Sequence, residues 1–199
     1  MIEYLVVVGA VAYVLGNLKY AIDTLQGRTK PNRVSWLMWS IAPLIGSAAA
    51  FSAGATWAAV PVFIAGFCSL FILAATFVNK KAYWKLETFD YLCGLFSLLA
   101  LVLWALTSQP VVAIIFAIIS DAFAYIPTQR KAWIHPETES YWVYAASVFN
   151  ALTGLLVVKT WAFSEYAFPA YLVIINCLLL FSVFGKEIIT PKPARGNRK

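Results

Sequence analysis

Seven apolar runs, each close to the length of a bilayer crossing, constrain this chain more than any other feature. They occupy residues 3–22, 34–53, 57–78, 89–106, 110–126, 141–158 and 167–184. A helix needs about 20 predominantly apolar residues to cross ~30 Å of hydrocarbon. In hydrocarbon every backbone N–H and C=O must be satisfied within the segment, so continuous runs of this kind are helices. The ten-residue alternation of an outer-membrane barrel is absent. Composition agrees: 62% of the 199 residues are hydrophobic and 12% are charged, about half the charge of an ordinary soluble domain. A chain of this length has no interior large enough to hide so much apolar surface from water. Disorder is excluded on the same ground. So is a disulfide scaffold, because Cys68, Cys93 and Cys177 fall in apolar runs with no paired spacing. The expected fold class is an all-α polytopic membrane protein with seven transmembrane helices, its partner the lipid bilayer.

The breaks between runs carry turn or charge signals, as at residues 27–33, 52–54, 79–81, 108–110 and 130–140. Orientation follows from lysine and arginine, which concentrate in cytoplasmic loops. The first-to-second loop holds Arg28, Lys30 and Arg33, the third-to-fourth Lys80, Lys81 and Lys85, and the fifth-to-sixth Arg130 and Lys131. The tail adds Lys186, Lys192, Arg195, Arg198 and Lys199, and Lys19 lies near the same end, leaving only Lys159 opposite. This bias predicts an outside N-terminus, a cytoplasmic C-terminus and an odd number of spans. Topology therefore explains the net charge of +6 without nucleic acid. The opening Met-Ile-Glu-Tyr has no basic n-region, so the first run is expected to be a retained span.

The chain also matches itself at a spacing of about 104 residues. Asn17 pairs with Asp121, Thr24 with Thr128, Pro31 with Pro136, Ser35 with Ser140, and Thr56-Trp57 with Thr160-Trp161. These pairs fall at corresponding points of spans one to three and five to seven, with span four as a single inverting connector. A parallel duplication of three helices is one way secondary transporters are built. The expected organisation is a first three-helix bundle over residues 1–79, a linker helix over 80–108, a second bundle over 109–186 and a basic tail over 187–199.

This 3+1+3 arrangement, with its outside N-terminus and small size, resembles the SWEET and PQ-loop superfamily, in particular bacterial PQ-loop-like proteins. The local resemblance lies at the polar end of span five, through Asp121, Pro127, Thr128, Gln129, Lys131, Pro136, Glu137 and Ser140. It is similar to the proline-glutamine turn that closes the first helix of a PQ-loop unit. Thr128 separates proline from glutamine here, and the first unit reads Asp23-Thr-Leu-Gln26 with no proline. The resemblance implies a transporter of small polar solutes in a bacterial inner membrane. In sugar-transporting SWEETs an asparagine in the third helix of each unit reaches the substrate. Asn176 sits where that comparison points, while the first-unit position is Phe67.

Asp121 is the acid deepest in an apolar run, ~16 Å past Pro110 at 1.5 Å per residue. A carboxylate at that depth needs a partner, water or a proton, which makes it a functional candidate. Asn17 is expected to face it across the repeat axis. A purely structural bond, or a salt bridge to Lys19, is the competing reading. Asn150 and Asn176 lie ~14 Å from a span end, where an amide binds a polar solute or a neighbouring helix. Trp36 and Trp39, facing Tyr141, Trp142 and Tyr144, form a wall suited to flat rings or sugar faces. Packing competes with that role. Trp57, Trp84, Trp133 and Trp161 read as interfacial anchors. Pro43, Pro61 and Pro169 are candidate hinges. The substrate-binding candidates are thus Asn17, Trp39, Asp121, Tyr144, Asn150 and Asn176. The segment from Pro127 to Ser140 is expected to form an ordered cap, with Lys131 pairing Glu137 or Glu139, and with Thr128 or Ser140 capping a helix.

The sequence has no phosphate-cradling glycine loop, metal-spaced His/Cys cluster or serine–histidine pair, so no enzyme, cofactor or metal is expected. Three functions compete. The first is a small-solute carrier or facilitator working by alternating access. The second is a non-transporting receptor or assembly factor on the same scaffold, as in KDEL receptors. The third is vitamin or nucleoside uptake resembling Pnu-type carriers. Homo-oligomerisation is left open.

Overall fold

A computed structural model of the protein describes residues 3–80, 82, 84–107 and 109–189. Each apolar run is helical: α1 (Glu3–Leu25), α2 (Arg33–Ser52), α3 (Val60–Val78), α4 (Thr88–Thr107), α5 (Pro110–Ile134), α6 (Tyr141–Leu156) and α7 (Phe163–Ile189). Short 3-10 turns at Trp57–Ala59 and Pro136–Thr138 precede α3 and α6, and no strand occurs among the described residues. The segments Tyr4–Leu25, Arg33–Ser52, Trp57–Val78, Pro110–Ile134 and Phe163–Phe184 are long and apolar enough to cross a membrane. In α4 the apolar stretch is shorter, Thr88–Leu103. The expected run 141–158 ends early as a helix, and the 16 residues of α6 span about 24 Å at 1.5 Å each.

What faces out is apolar and what faces in is often polar. Leu5, Val8, Val11, Leu15, Leu18 and Ile22 of α1 are exposed, as are Tyr91, Leu95, Leu98 and Val102 of α4. Asn17, Ser97, Ser120, Asp121, Asn150 and Thr153 are buried. A contiguous apolar exterior of this kind aggregates in water and is at rest in lipid, so the helices have the character of a helical membrane protein.

Helices α1 and α2 both pack on α3, and α5 and α6 both pack on α7. Two further seams join these groups, α1 against α6 and α2 against α5, while α4 lies along α5 and touches α2. Small residues permit the approach, since helices in lipid associate through close packing rather than hydrophobic exclusion. At the α1–α6 seam, Gly9 faces Thr153 and Gly16 faces Ala146 and the Trp142 carbonyl. At the α2–α5 seam, Gly46 meets Ala117, and Ala49, Ala113 and Ala117 share a buried cluster. Gly66 lets α3 lie against the backbone of Ser40 and Leu44 in α2.

The basic loops meet at one end. Asn79 Nδ2 donates to the Leu25 carbonyl at 2.9 Å, Trp84 N to the Pro31 carbonyl at 3.2 Å and Lys30 N to the Thr138 carbonyl at 3.0 Å. The loops bearing Arg28, Lys30, Lys80 and Lys85 thus join the end of α5 that bears Arg130 and Lys131. Lys81 and the tail from residue 190 lie outside the described residues. Asn32 starts α2 as its N-cap, accepting from Val34 N and Ser35 N through Oδ1. Its Nδ2 donates to Asp90 Oδ1 at 2.9 Å and so ties α2 to α4.

Two expectations about prolines are corrected. Pro127 does not close the fifth helix: α5 runs through it to Ile134, losing one backbone bond while packing holds the next turn. Pro61 lies in the first turn of α3, where its missing N–H breaks no helical bond, so it is no hinge. Pro43 and Pro169 are inside α2 and α7.

A β-carbon on Gly16 would lie 2.7 Å from the Ala146 Cβ and 3.1 Å from the Trp142 carbonyl oxygen. Alanine raises intrinsic helix propensity by up to about 1 kcal/mol over glycine, so the sign of Gly16→Ala is diagnostic. It should lower the melting temperature in detergent. A rise would mean that the α1–α6 seam is looser than described.

Candidate functional site

Six helices line one central cavity, and among the described residues α4 contributes none. α1 contributes Tyr13, α2 Trp36, Trp39 and Pro43, α3 Ala65 and Ser69, and α5 Asp121. α6 adds Val143, Tyr144 and Ser147, and α7 adds Leu172, Ile175, Asn176 and Leu179. The space open to the centres of water-sized molecules is about 40 Å³, room for about three waters at 10–15 Å³ each. Four of the six residues expected to bind substrate meet here: Trp39, Asp121, Tyr144 and Asn176. A polar residue inside an apolar run turns toward the bundle interior, and these four turn toward the same point.

Asp121 is 2% exposed. Its Oδ2 accepts from the Tyr171 hydroxyl of α7 at 2.8 Å. Neither expected partner holds it. Lys19 pairs with Asp23 one turn further along α1, 2.5 Å away, the ordinary reach of an i,i+4 pair. Asn17 donates to the Tyr13 carbonyl of its own helix at 2.9 Å. Asn150 also lies off the cavity: its Nδ2 donates to the Pro61 carbonyl at 3.0 Å and fastens α6 to α3. Asn176 faces the cavity but donates to the Leu172 carbonyl at 2.8 Å, and Ser69 to the Ala65 carbonyl at 2.9 Å.

The aromatic wall is narrower than expected. The rings of Trp36 and Trp39 meet edge-on at 5.2 Å, and Tyr20 sits 5.1 Å from Trp36. Of the three residues expected opposite them, only Tyr144 reaches the cavity. Tyr141 packs on Trp142 and Phe184 at the periphery. The Nε1 of Trp39 is buried with no hydrogen-bond partner among the described residues.

Toward the basic end, the cavity gives way to a buried polar cluster. Lys131 and Glu139 form an ion pair whose side chains are 1% and 0% exposed. Glu139 Oε2 accepts from Tyr20 and Tyr144, both at 2.7 Å, and Lys131 Nζ donates to the Lys30 carbonyl at 2.5 Å. Trp84 lies over the ammonium at 5.6 Å. The segment from Pro127 to Ser140, expected to form an ordered cap, is the end of α5 followed by the Pro136–Thr138 turn. Its details differ. Lys131 selects Glu139, while Glu137 lies 3.3 Å from His135. Ser140 holds the N-cap position of α6 without a side-chain cap bond. Thr128 is inside α5 and donates to Ser35 Oγ at 2.8 Å.

Sequence reasoning missed Tyr13, Ser69 and Ser147 at the cavity, Tyr171 as the partner of Asp121, and Tyr20 beside Glu139. Helical spacing offered a signal for three of them, since Tyr13 and Tyr20 lie four and three residues from Asn17 on α1 and Ser147 lies three from Tyr144 on α6. Among the described residues no group of three or more His, Cys, Asp or Glu is placed to hold a metal ion. No family model matches the chain, and neither a curated protein nor a solved structure matches it.

Removing one partner of a buried ion pair strands the other charge and costs about 3–5 kcal/mol. Lys131→Met and Glu139→Gln should each lower stability in detergent by that order. The double variant should be distinctly more stable than the sum of the two losses predicts. Strict additivity would show that the two side chains do not interact.

Proposed function

We propose that the protein is a small-solute carrier or facilitator working by alternating access. In this reading it has seven membrane spans in two parallel three-helix bundles, α1–α3 and α5–α7, joined by the linker α4. The basic end faces the cytoplasm. The observation that carries the reading is the central cavity: every helix of the two proposed bundles lines it, and the proposed linker does not. The helix neighbours support it too, because exchanging α1, α2 and α3 with α5, α6 and α7 turns α1–α3, α2–α3 and α1–α6 into α5–α7, α6–α7 and α5–α2. This is the pattern expected of a two-fold repeat about the membrane normal, and it accords with the SWEET and PQ-loop resemblance.

In this mechanism the solute lies between Asp121 and Asn176 on one side and Trp39 and Tyr144 on the other. The closed end is held by Lys131 and Glu139, with Tyr144 touching both the latch and the cavity. Opening toward the basic end requires that Tyr20 and Tyr144 release Glu139, a rearrangement between discrete states of the kind carriers use. Pro43, inside α2 and on the cavity wall, lacks the N–H that would bond the Trp39 carbonyl, which gives that helix a bend point at the solute.

The tightness of the cavity and the complete burial of the latch favour a second reading, a receptor or assembly factor on the same scaffold. The two are separated by access. In a variant with Cys68, Cys93 and Cys177 replaced by serine, a Ser69→Cys thiol should react with a membrane-impermeant maleimide from either side of oriented vesicles. Labelling from neither side would overturn the carrier reading in favour of a closed scaffold.

A further inference from the structure

We propose that the central cavity selects organic cations, seating an ammonium head on Asp121 and the carbon body against the tryptophan rings. The inference rests on the carrier reading and assigns the charge of its solute. Among the described residues, Asp121 is the only charged one on the cavity wall, and no lysine, arginine or histidine lines it. Oδ2 is held by Tyr171 at 2.8 Å, and Oδ1 takes no hydrogen bond from a described residue. The nearest basic side chain along α1, Lys19, is already engaged by both oxygens of Asp23. A carboxylate removed from water without a counter-charge is costly, and a bound cation supplies what the chain withholds.

The rest of the wall points the same way. Trp36, Trp39, Tyr13 and Tyr144 bring four aromatic rings to the cavity, and the faces of such rings attract cations. Ser69 and Asn176 each give a donor to their own helix, and most of the remaining wall is aromatic or apolar surface rather than the polar array that the many hydroxyls of a sugar require. An anion meets Asp121 with no basic residue to offset it. With room for about three waters, the cavity takes a small ammonium head as it stands, and the helices part to admit the carbon body.

The test uses the full chain purified in detergent. Thermal unfolding and calorimetric titration compare n-propylammonium and tetramethylammonium chloride with sodium chloride at equal ionic strength, and with 1-propanol and glucose. The two ammonium salts should raise the melting temperature saturably, and the three controls should not. Asp121→Asn should weaken ammonium binding by about tenfold or more, and Trp39→Leu, which leaves the carboxylate in place, by about tenfold. If Asp121→Asn is not monodisperse, Trp39→Leu decides alone. No saturable response to either ammonium probe, or an unchanged response in the variant, overturns the proposal. Saturable glucose binding that survives Asp121→Asn overturns the cation assignment and leaves the carrier reading standing. Silence from every probe together with an unlabelled Ser69→Cys thiol overturns both.

Discussion

The ion pair between Lys131 and Glu139 is the interaction on which the arrangement of the basic end depends. Withdrawing two charges from water costs several kcal/mol per ion, and their attraction compensates only when the remaining polar groups are also satisfied. Here they are. Glu139 takes two phenol hydroxyls, and Lys131 reaches the Lys30 carbonyl. These partners come from five places in the chain: α1, the loop after it, the end of α5, the loop before α6, and α6. The pair is stable only with all five in register, so it sets how the loops close over the bundle. It also fixes the Tyr144 hydroxyl, and with it the ring that forms part of the cavity wall.

The helices were readable from sequence because hydrocarbon leaves the backbone no other option, and their ends were not. Pro127 is a turn signal in water, but within a packed bundle a helix survives one missing bond and continues to Ile134. Asp121, Asn176 and Trp39 were legible as cavity-lining residues because a polar group in an apolar run has to face inward. The same logic applied to Asn150, which instead serves the Pro61 carbonyl, since burial alone does not separate a ligand-facing amide from a structural one. Glu139 shows a different difficulty. Spacing offered Lys131 either Glu137 or Glu139 and did not choose between them, and what singles out Glu139 is Tyr20, 119 positions away. The Lys19–Asp23 pair, by contrast, was available from i,i+4 spacing alone, and it removes Lys19 as a partner for Asp121.

The interior is polar without being open. Asn17 and Asn150 each retain a buried carbonyl oxygen with no partner among the described residues, as does the indole nitrogen of Trp39 at the cavity. Unsatisfied groups of this kind cost more in a low dielectric than in water, so they bias the bundle toward whatever rearrangement or occupant completes them.

Helix α4 breaks the equivalence of the two seams. It lies along α5, where the Ser97 hydroxyl meets the Ser120 carbonyl at 2.7 Å. It also reaches α2 through Gly94 against Val34 and Asp90 against Asn32. The α2–α5 seam is therefore strapped from outside, and among the described residues the α1–α6 seam has no such strap. In the proposed two-bundle reading, halves bound along one edge turn about that edge, as covers turn about a spine. The free margin lies where Gly9 and Gly16 meet α6, held at the basic end by the hydroxyl of Tyr20 on Glu139. Any parting of the halves is thus a swing with one fixed border, widest at α1 and α6, and the lipid beside that margin is the first to feel it.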